Sequence, residues 1–149
     1  MTTNFTDVFD LFMMLQTDYR LITLYNSSVP NFNTYLTGFL VLAVDEFKVC
    51  DQDLSYTLST KLFTETLSQK NITILAQLVK KNWLEKSINN ISQMEGKIQD
   101  SDFKFYSEAN NYKERKDGLI LELEKVSQKL VEYGYNNQSN WDILNAINL

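Results

Sequence analysis

Histidine is absent from the sequence, cysteine and proline each occur once, and there are only four glycines in 149 residues. Without histidine the chain lacks the commonest general base and the commonest metal ligand. One cysteine and no histidine cannot assemble a zinc site, nor can Cys50 form a disulfide within the chain. Asp45, Glu46 and Asp51 stand near Cys50 in sequence and disfavour its thiolate, so Cys50 reads as a small buried hydrophobe. A phosphate-cradling loop needs several glycines ahead of its lysine, and the nearest fragment, Gly96-Lys97-Ile98, has none upstream. The longest apolar run, Leu36 to Val44, is less than half of the roughly 20 residues that a membrane-spanning helix needs. Positive charge is also short: 14 Lys and Arg against 19 Asp and Glu leave a net charge of −5. A protein that grips duplex DNA is expected to be basic. These absences point away from an enzyme, a cofactor, a metal and a membrane.

What remains is enough for one domain, and a compact fold of this length buries roughly 70% of the surface that its unfolded chain exposes. No opening stretch has the basic, apolar and small-residue order of a secretory signal, so synthesis in a cytoplasm is expected. Asparagine sequons at Asn4, Asn71 and Asn90 are chance matches in so asparagine-rich a chain.

Apolar periodicity predicts helices along most of the sequence. Val8, Leu11, Phe12 and Leu15 recur at helical spacing after Thr6 or Asp7 as N-cap, and that helix ends before or after Asp18. A second pattern, Phe32, Tyr35, Phe39, Leu42 and Ala43, follows Pro30, with Asn31 or Asn33 as cap and an end near Phe47. Gly38 interrupts it at a cost of about 1 kcal/mol against alanine, which suggests close approach of a neighbouring helix. From Tyr56 the period shifts to two through Leu58, Thr60, Leu62 and Thr64, predicting an extended arm or a small hairpin at about 55–67. Ser68 then caps a helix striped by Ile72, Leu75, Val79, Leu84, Ile88 and Ile91, with Gly96 as its stop. The stretch 101–107 reads as the joint between two long helices, filled by Phe103 and Tyr106. Ser107 caps the last helix and Gly134 follows its end. Leu119, Leu123, Val126, Leu130 and Tyr133 alternate steps of four and three, the narrow seam of a helix that packs on one partner helix.

The segment 136–149 is polar with apolar anchors at Trp141, Ile143 or Leu144, Ile147 and Leu149, a pattern suited to folding on a partner. The carboxylates of Asp51, Asp53, Asp100 and Asp102 lack the offsets of a calcium loop and read as turn and cap groups. Two modest basic clusters, Lys80, Lys81 and Lys86, then Lys113, Arg115 and Lys116, are interrupted by acids and amides and read as solvated helix faces.

The order of these pieces resembles a known family. "YLTGFLVLAVDEF" runs into "CDQDL"; an arm ends at Leu67; "ILAQLVKKNWLEK" and "DFKFYSEANNYKE" follow, and a heptad-like helix closes in "EYGY". The order and spacing of Phe47, Cys50, Asp53, Leu54, Trp83, Leu84, Phe103, Ser107 and Asn110 carry the likeness, which spans most of residues 7–135. It is similar to the head–tail connector proteins of tailed bacteriophages, also called adaptor or head-completion proteins. The resemblance implies a structural virion protein in the head–tail neck: a ring, typically of twelve copies of itself, between the portal protein and a downstream neck or tail protein. DNA then passes through the channel without sequence-specific binding.

The fold expected is mainly α, a bundle of about four helices over 1–135 with the arm at 55–67, followed by a docking tail at 136–149 that the family places on the portal. Within it Phe39, Phe47, Cys50, Leu54, Leu75, Trp83, Leu84, Phe103, Leu119, Leu123, Val126 and Leu130 are the expected core. Tyr56, Leu58, Leu62 and Phe63 of the arm, with Trp141, Leu144, Ile147 and Leu149 of the tail, are the expected partner contacts. The alternative is a non-enzymatic regulatory or assembly bundle that binds one protein through the heptad seam.

Overall fold

A computed structural model describes the backbone of residues 1–16, 18–99 and 106–137, and the side chains of these except 94–99, 106–110 and 135–137. The described residues form five helices and one two-stranded antiparallel hairpin: α1 (Phe5–Leu15), α2 (Tyr19–Ser27), α3 (Val29–Glu46), β1 (Tyr56–Thr57), β2 (Leu62–Phe63), α4 (Gln69–Gln99) and α5 (Tyr106–Asn137). The fold is therefore mainly helical, as its periodicity implies, with a hairpin in place of an open arm.

The helix starts follow cap chemistry. Asn4 caps α1 instead of Thr6 or Asp7: its Oδ1 accepts from the Thr6 amide at 3.2 Å while Asp7 Oδ2 accepts from the Asn4 amide at 2.9 Å. This reciprocal pair leaves Asp7 inside the first turn. Asp18 starts a separate helix, its Oδ1 accepting from the Arg20 amide at 2.8 Å, which is why five helices stand where about four are expected. Ser28 ends α2 and caps α3, ahead of Asn31 and Asn33, because Pro30 falls in the first turn where its missing amide hydrogen has no helical partner to lose. Ser68 does cap α4, its Oγ accepting from the Asn71 amide at 3.2 Å.

The glycines stop nothing. Gly96 lies inside α4 and Gly134 inside α5, and no described glycine has the positive φ that a terminating residue needs. Ser107 likewise falls within α5, which begins one residue earlier. Nothing lies within 4 Å of the place a Cβ would occupy at Gly38. The expected close approach of another helix there is absent.

The core is built around α4, which between Ile74 and Leu84 is buried on nearly every side. Such a helix is the central element of a bundle. On one flank α1 presents Phe5, Val8, Phe9 and Phe12, with the Phe12 and Trp83 rings edge to face at 6.3 Å. Beside it α3 presents Phe32, Leu36, Phe39, Leu40 and Ala43. On the other flank α5 lays down its seam, with Leu119 and Val126 buried and Leu123, Leu130 and Tyr133 partly so. The seam is thus occupied within the chain, and the surface assumed by the alternative reading is not free. Phe47, Leu75 and Leu84 are buried in the same core, while Cys50 and Leu54 are half-buried against it. Phe103 lies outside the described residues.

Directions follow from a few contacts. Lys81 pairs with Glu46 while Lys86 lies over Tyr35 and Phe39, so α3 runs antiparallel to α4. The two long helices are joined by residues 100–105, far too short to span a helix of about 46 Å, so α5 runs antiparallel to α4 and parallel to α3.

Candidate assembly surfaces

The hairpin is tied to its own chain. Phe63 donates its amide to the Thr3 carbonyl at 2.9 Å, and Phe5 donates to Lys61 at 3.0 Å. The Leu67 amide donates to Thr3 Oγ1 at 2.7 Å. Phe5, Tyr56 and Phe63 form an aromatic trio with centroids 5.1–6.3 Å apart. Phe63, expected at a partner contact, is buried because its ring fills the gap between α1 and the hairpin. Tyr56 and Leu62 are half-buried by the same packing, and only Leu58, in the turn, stands out. That turn closes with Lys61 at φ 55°, in the left-handed region.

Hydrogen bonding absorbs the carboxylates. Asp53 Oδ1 accepts from the Ser55 amide at 3.0 Å and the Ser55 hydroxyl at 2.6 Å, and these bonds hold its carboxyl below the ordinary range. Asp51 Oδ1 accepts from Asn71 Nδ2 at 2.8 Å. Gln52 Oε1 accepts from the same Nδ2 and from the Ser68 amide, both at 2.7 Å. The Asp51–Asp53 loop is therefore a clasp over the start of α4. Asp100 and Asp102 lie outside the described residues. Among the described residues no group of three or more His, Cys, Asp or Glu side chains is placed to hold a metal. No described helix is long and apolar enough to cross a membrane.

Part of the first basic cluster is drawn into the packing. Lys80 donates to the Leu15 carbonyl at 3.1 Å, supplying α1 with the C-terminal cation that its own last turn lacks. Burial there pushes the Lys80 ammonium down, against the pull of Glu122. Lys81 holds Glu46 at 2.9 Å, and that hydrogen bond is the main cause of its raised pKa. Lys86 lies 5.7 Å from both the Tyr35 and Phe39 ring centroids, within cation–π range. Arg115 reaches across to Asp18 at 3.6 Å. Lys80 and Lys81 are thus half-buried in the packing, while Lys86, Lys113 and Arg115 stay on exposed helix faces.

What sequence reading missed is α2. Joined to α3 through Ser28, this nine-residue helix buries Leu21 alone. It exposes Tyr19 at 84%, Ile22 at 40% and Tyr25 at 45%. Met14 just before it is 80% exposed, and Val29 just after it is also exposed. The signal was present: Tyr19, Ile22 and Tyr25 advance in steps of three behind Asp18, an N-cap residue type, where periodicity left open whether the first helix ends before or after Asp18. The tail anchors Trp141, Leu144, Ile147 and Leu149 lie outside the described residues.

No family model matches the chain, and no curated protein or solved structure is significantly similar to it.

Proposed function

We propose that this protein is a non-enzymatic structural component of a tailed-phage virion, a connector subunit that assembles with copies of itself into a ring between the portal and the next neck or tail protein. The observation that carries the proposal is the face of α2 that exposes Tyr19, Ile22 and Tyr25, since large apolar side chains exposed together on one short helix mark an interaction surface. Two further features support it. The helical body is the architecture that the residue resemblance implies, although the hairpin packs on its own chain where the resemblance implies an arm. The net charge of −5 suits a channel that lets DNA pass, because a basic lining would hold it by counterion release.

The experiment is localisation in particles. Purified virions of the phage that encodes this chain are dissociated stepwise, and the protein is followed by quantitative mass spectrometry against the portal. Retention in the head–tail neck at about the portal's copy number is the expected result; absence from virions refutes the proposal.

A further inference from the structure

Charge is unevenly spread over this chain. Residues 19–44, which make α2 and most of α3, hold no carboxylate and a single charge, Arg20, in a protein with 19 Asp and Glu. The two helices pack together through Tyr25 and Phe32, edge to face at 5.2 Å. Between them they expose Tyr19, Ile22, Tyr25, Val29, Tyr35 and Leu42. The charges that border this surface are mostly positive. The Asp18 side chain, 10% exposed, lies 3.5 Å from Arg20 and 3.6 Å from Arg115, so one carboxylate answers two guanidiniums. Lys86 adds an ammonium over Tyr35 and Phe39. Exposed tyrosines in a field depleted of charge are the composition of a protein–protein contact.

The opposite balance holds where the start of α1, the hairpin and the Asp51–Asp53 clasp are tied together by hydrogen bonds. With 18 residues, α3 carries the chain about 27 Å from α2 to this region. Asp7, Asp10, Asp51, Asp53 and Glu65 are all exposed there, and none of them is ion-paired among the described residues. Lys61 and Lys70 are too few to offset them.

We infer that the α2–α3 face docks on the carboxylate-rich hairpin end of a second copy of this chain, so that copies join head to tail. Two molecules of net charge −5 repel each other, and a carboxylate-free face bordered by cations is where a second copy can approach without like charges meeting. The unpaired carboxylates are the surface complementary to it. Because two different surfaces meet, the contact closes into a ring when its rotation allows and otherwise runs on as a filament. Closure into a ring rests on the proposed function, whereas the contact itself rests on the charge pattern.

The test is sedimentation equilibrium of the full chain alone, in a concentration series up to about 1 mM, which populates even a millimolar contact. Self-association is expected. Tyr19→Glu with Ile22→Glu in one variant, and Asp10→Lys with Glu65→Lys in another, should each weaken it by about tenfold or more. An equimolar mixture of the two variants should regain it, since the new carboxylates of one then meet the new lysines of the other. Leu121→Glu on α5 should leave it unchanged. All the replaced side chains are exposed, and circular dichroism checks that each variant keeps its helices. A chain that stays monomeric, or a mixture that does not regain association, overturns the inference. Self-association that appears only after Trp141→Ala with Leu144→Ala also overturns it, by putting the chain's own C-terminal segment on the α2 face. A monomer that is nevertheless present in virions at the portal's copy number removes the joint and leaves the connector. Charge-swap rescue in a protein absent from virions leaves the joint and removes the connector.

Discussion

Phe63 is the residue on which the hairpin and the body of the fold converge. Its ring packs on Phe5 and Tyr56, its amide holds Thr3, and it is 1% exposed. Phe63→Ala should cost about 3–5 kcal/mol in a denaturant titration, since the cavity opens against two rings that cannot both collapse into it. A loss below about 1 kcal/mol would mean that the hairpin is not part of the cooperative core. Gly38 makes the opposite case. It is exposed in mid-helix with open space where a methyl group would go. Gly38→Ala should therefore stabilise by about 0.5–1 kcal/mol through the unfolded chain's entropy and helix propensity. Destabilisation would show that something not in this chain's fold packs there.

At the scale of elements, Asp18 joins two helices. It caps α2 through the Arg20 amide, pairs with the Arg20 side chain, and meets Arg115 of α5, while remaining only 10% exposed. Asp18→Ala should cost about 1–2 kcal/mol, most of it the lost cap, whereas Arg115→Ala, on an open side chain, should cost less than about 1 kcal/mol. The loop after α3 carries a titration signal. Burial is the main cause that pushes the Cys50 thiol above its ordinary range, and Asp51 and Glu65 add to it against the backbone amides of Gln52 and Asp51. A thiol raised in the fold contributes stability that is full below its unfolded pKa and is lost as pH rises through the folded value. Alkylation of Cys50 by iodoacetamide should accordingly be slower than that of a free thiol at pH 8 and rise with a midpoint above the ordinary thiol value. A midpoint at or below that value would place the sulfur in water.

How much of this was legible differs from element to element. The core stripes of α3, α4 and α5 could be read from the sequence because burial of one face imposes helical spacing on Phe32, Phe39, Leu75, Leu84, Leu119 and Val126. Helix ends were less readable, since they depend on which of several adjacent cap residues wins: Asn4 over Thr6 and Asp7, Ser28 over Asn31 and Asn33. A glycine is a stop only if the backbone turns left-handed there, which composition does not reveal, and Gly96 and Gly134 do not stop their helices. Phe63 looked like a contact residue because a period of two does not say which side of a hairpin meets its own chain. The α2 surface was hidden for a related reason. Steps of three from Tyr19 to Tyr25 mark one side of a helix without showing that Leu21 is the one residue the helix buries.

For the whole molecule, a helical bundle in which Lys80 and Lys81 are drawn into the packing carries an exposed apolar face on its short second helix. The net charge of −5 predicts no saturable binding of a labelled DNA duplex at physiological salt, and salt-sensitive binding would expose a basic surface that the account lacks. The most direct test of the central claim, the proposed connector role, is light scattering on size-exclusion fractions of this protein mixed with a portal protein encoded by the same genome. A connector subunit should give a joint particle with about one copy of this chain per portal subunit. Two separate peaks, with both proteins folded and at concentrations where either would saturate a micromolar site, would contradict it.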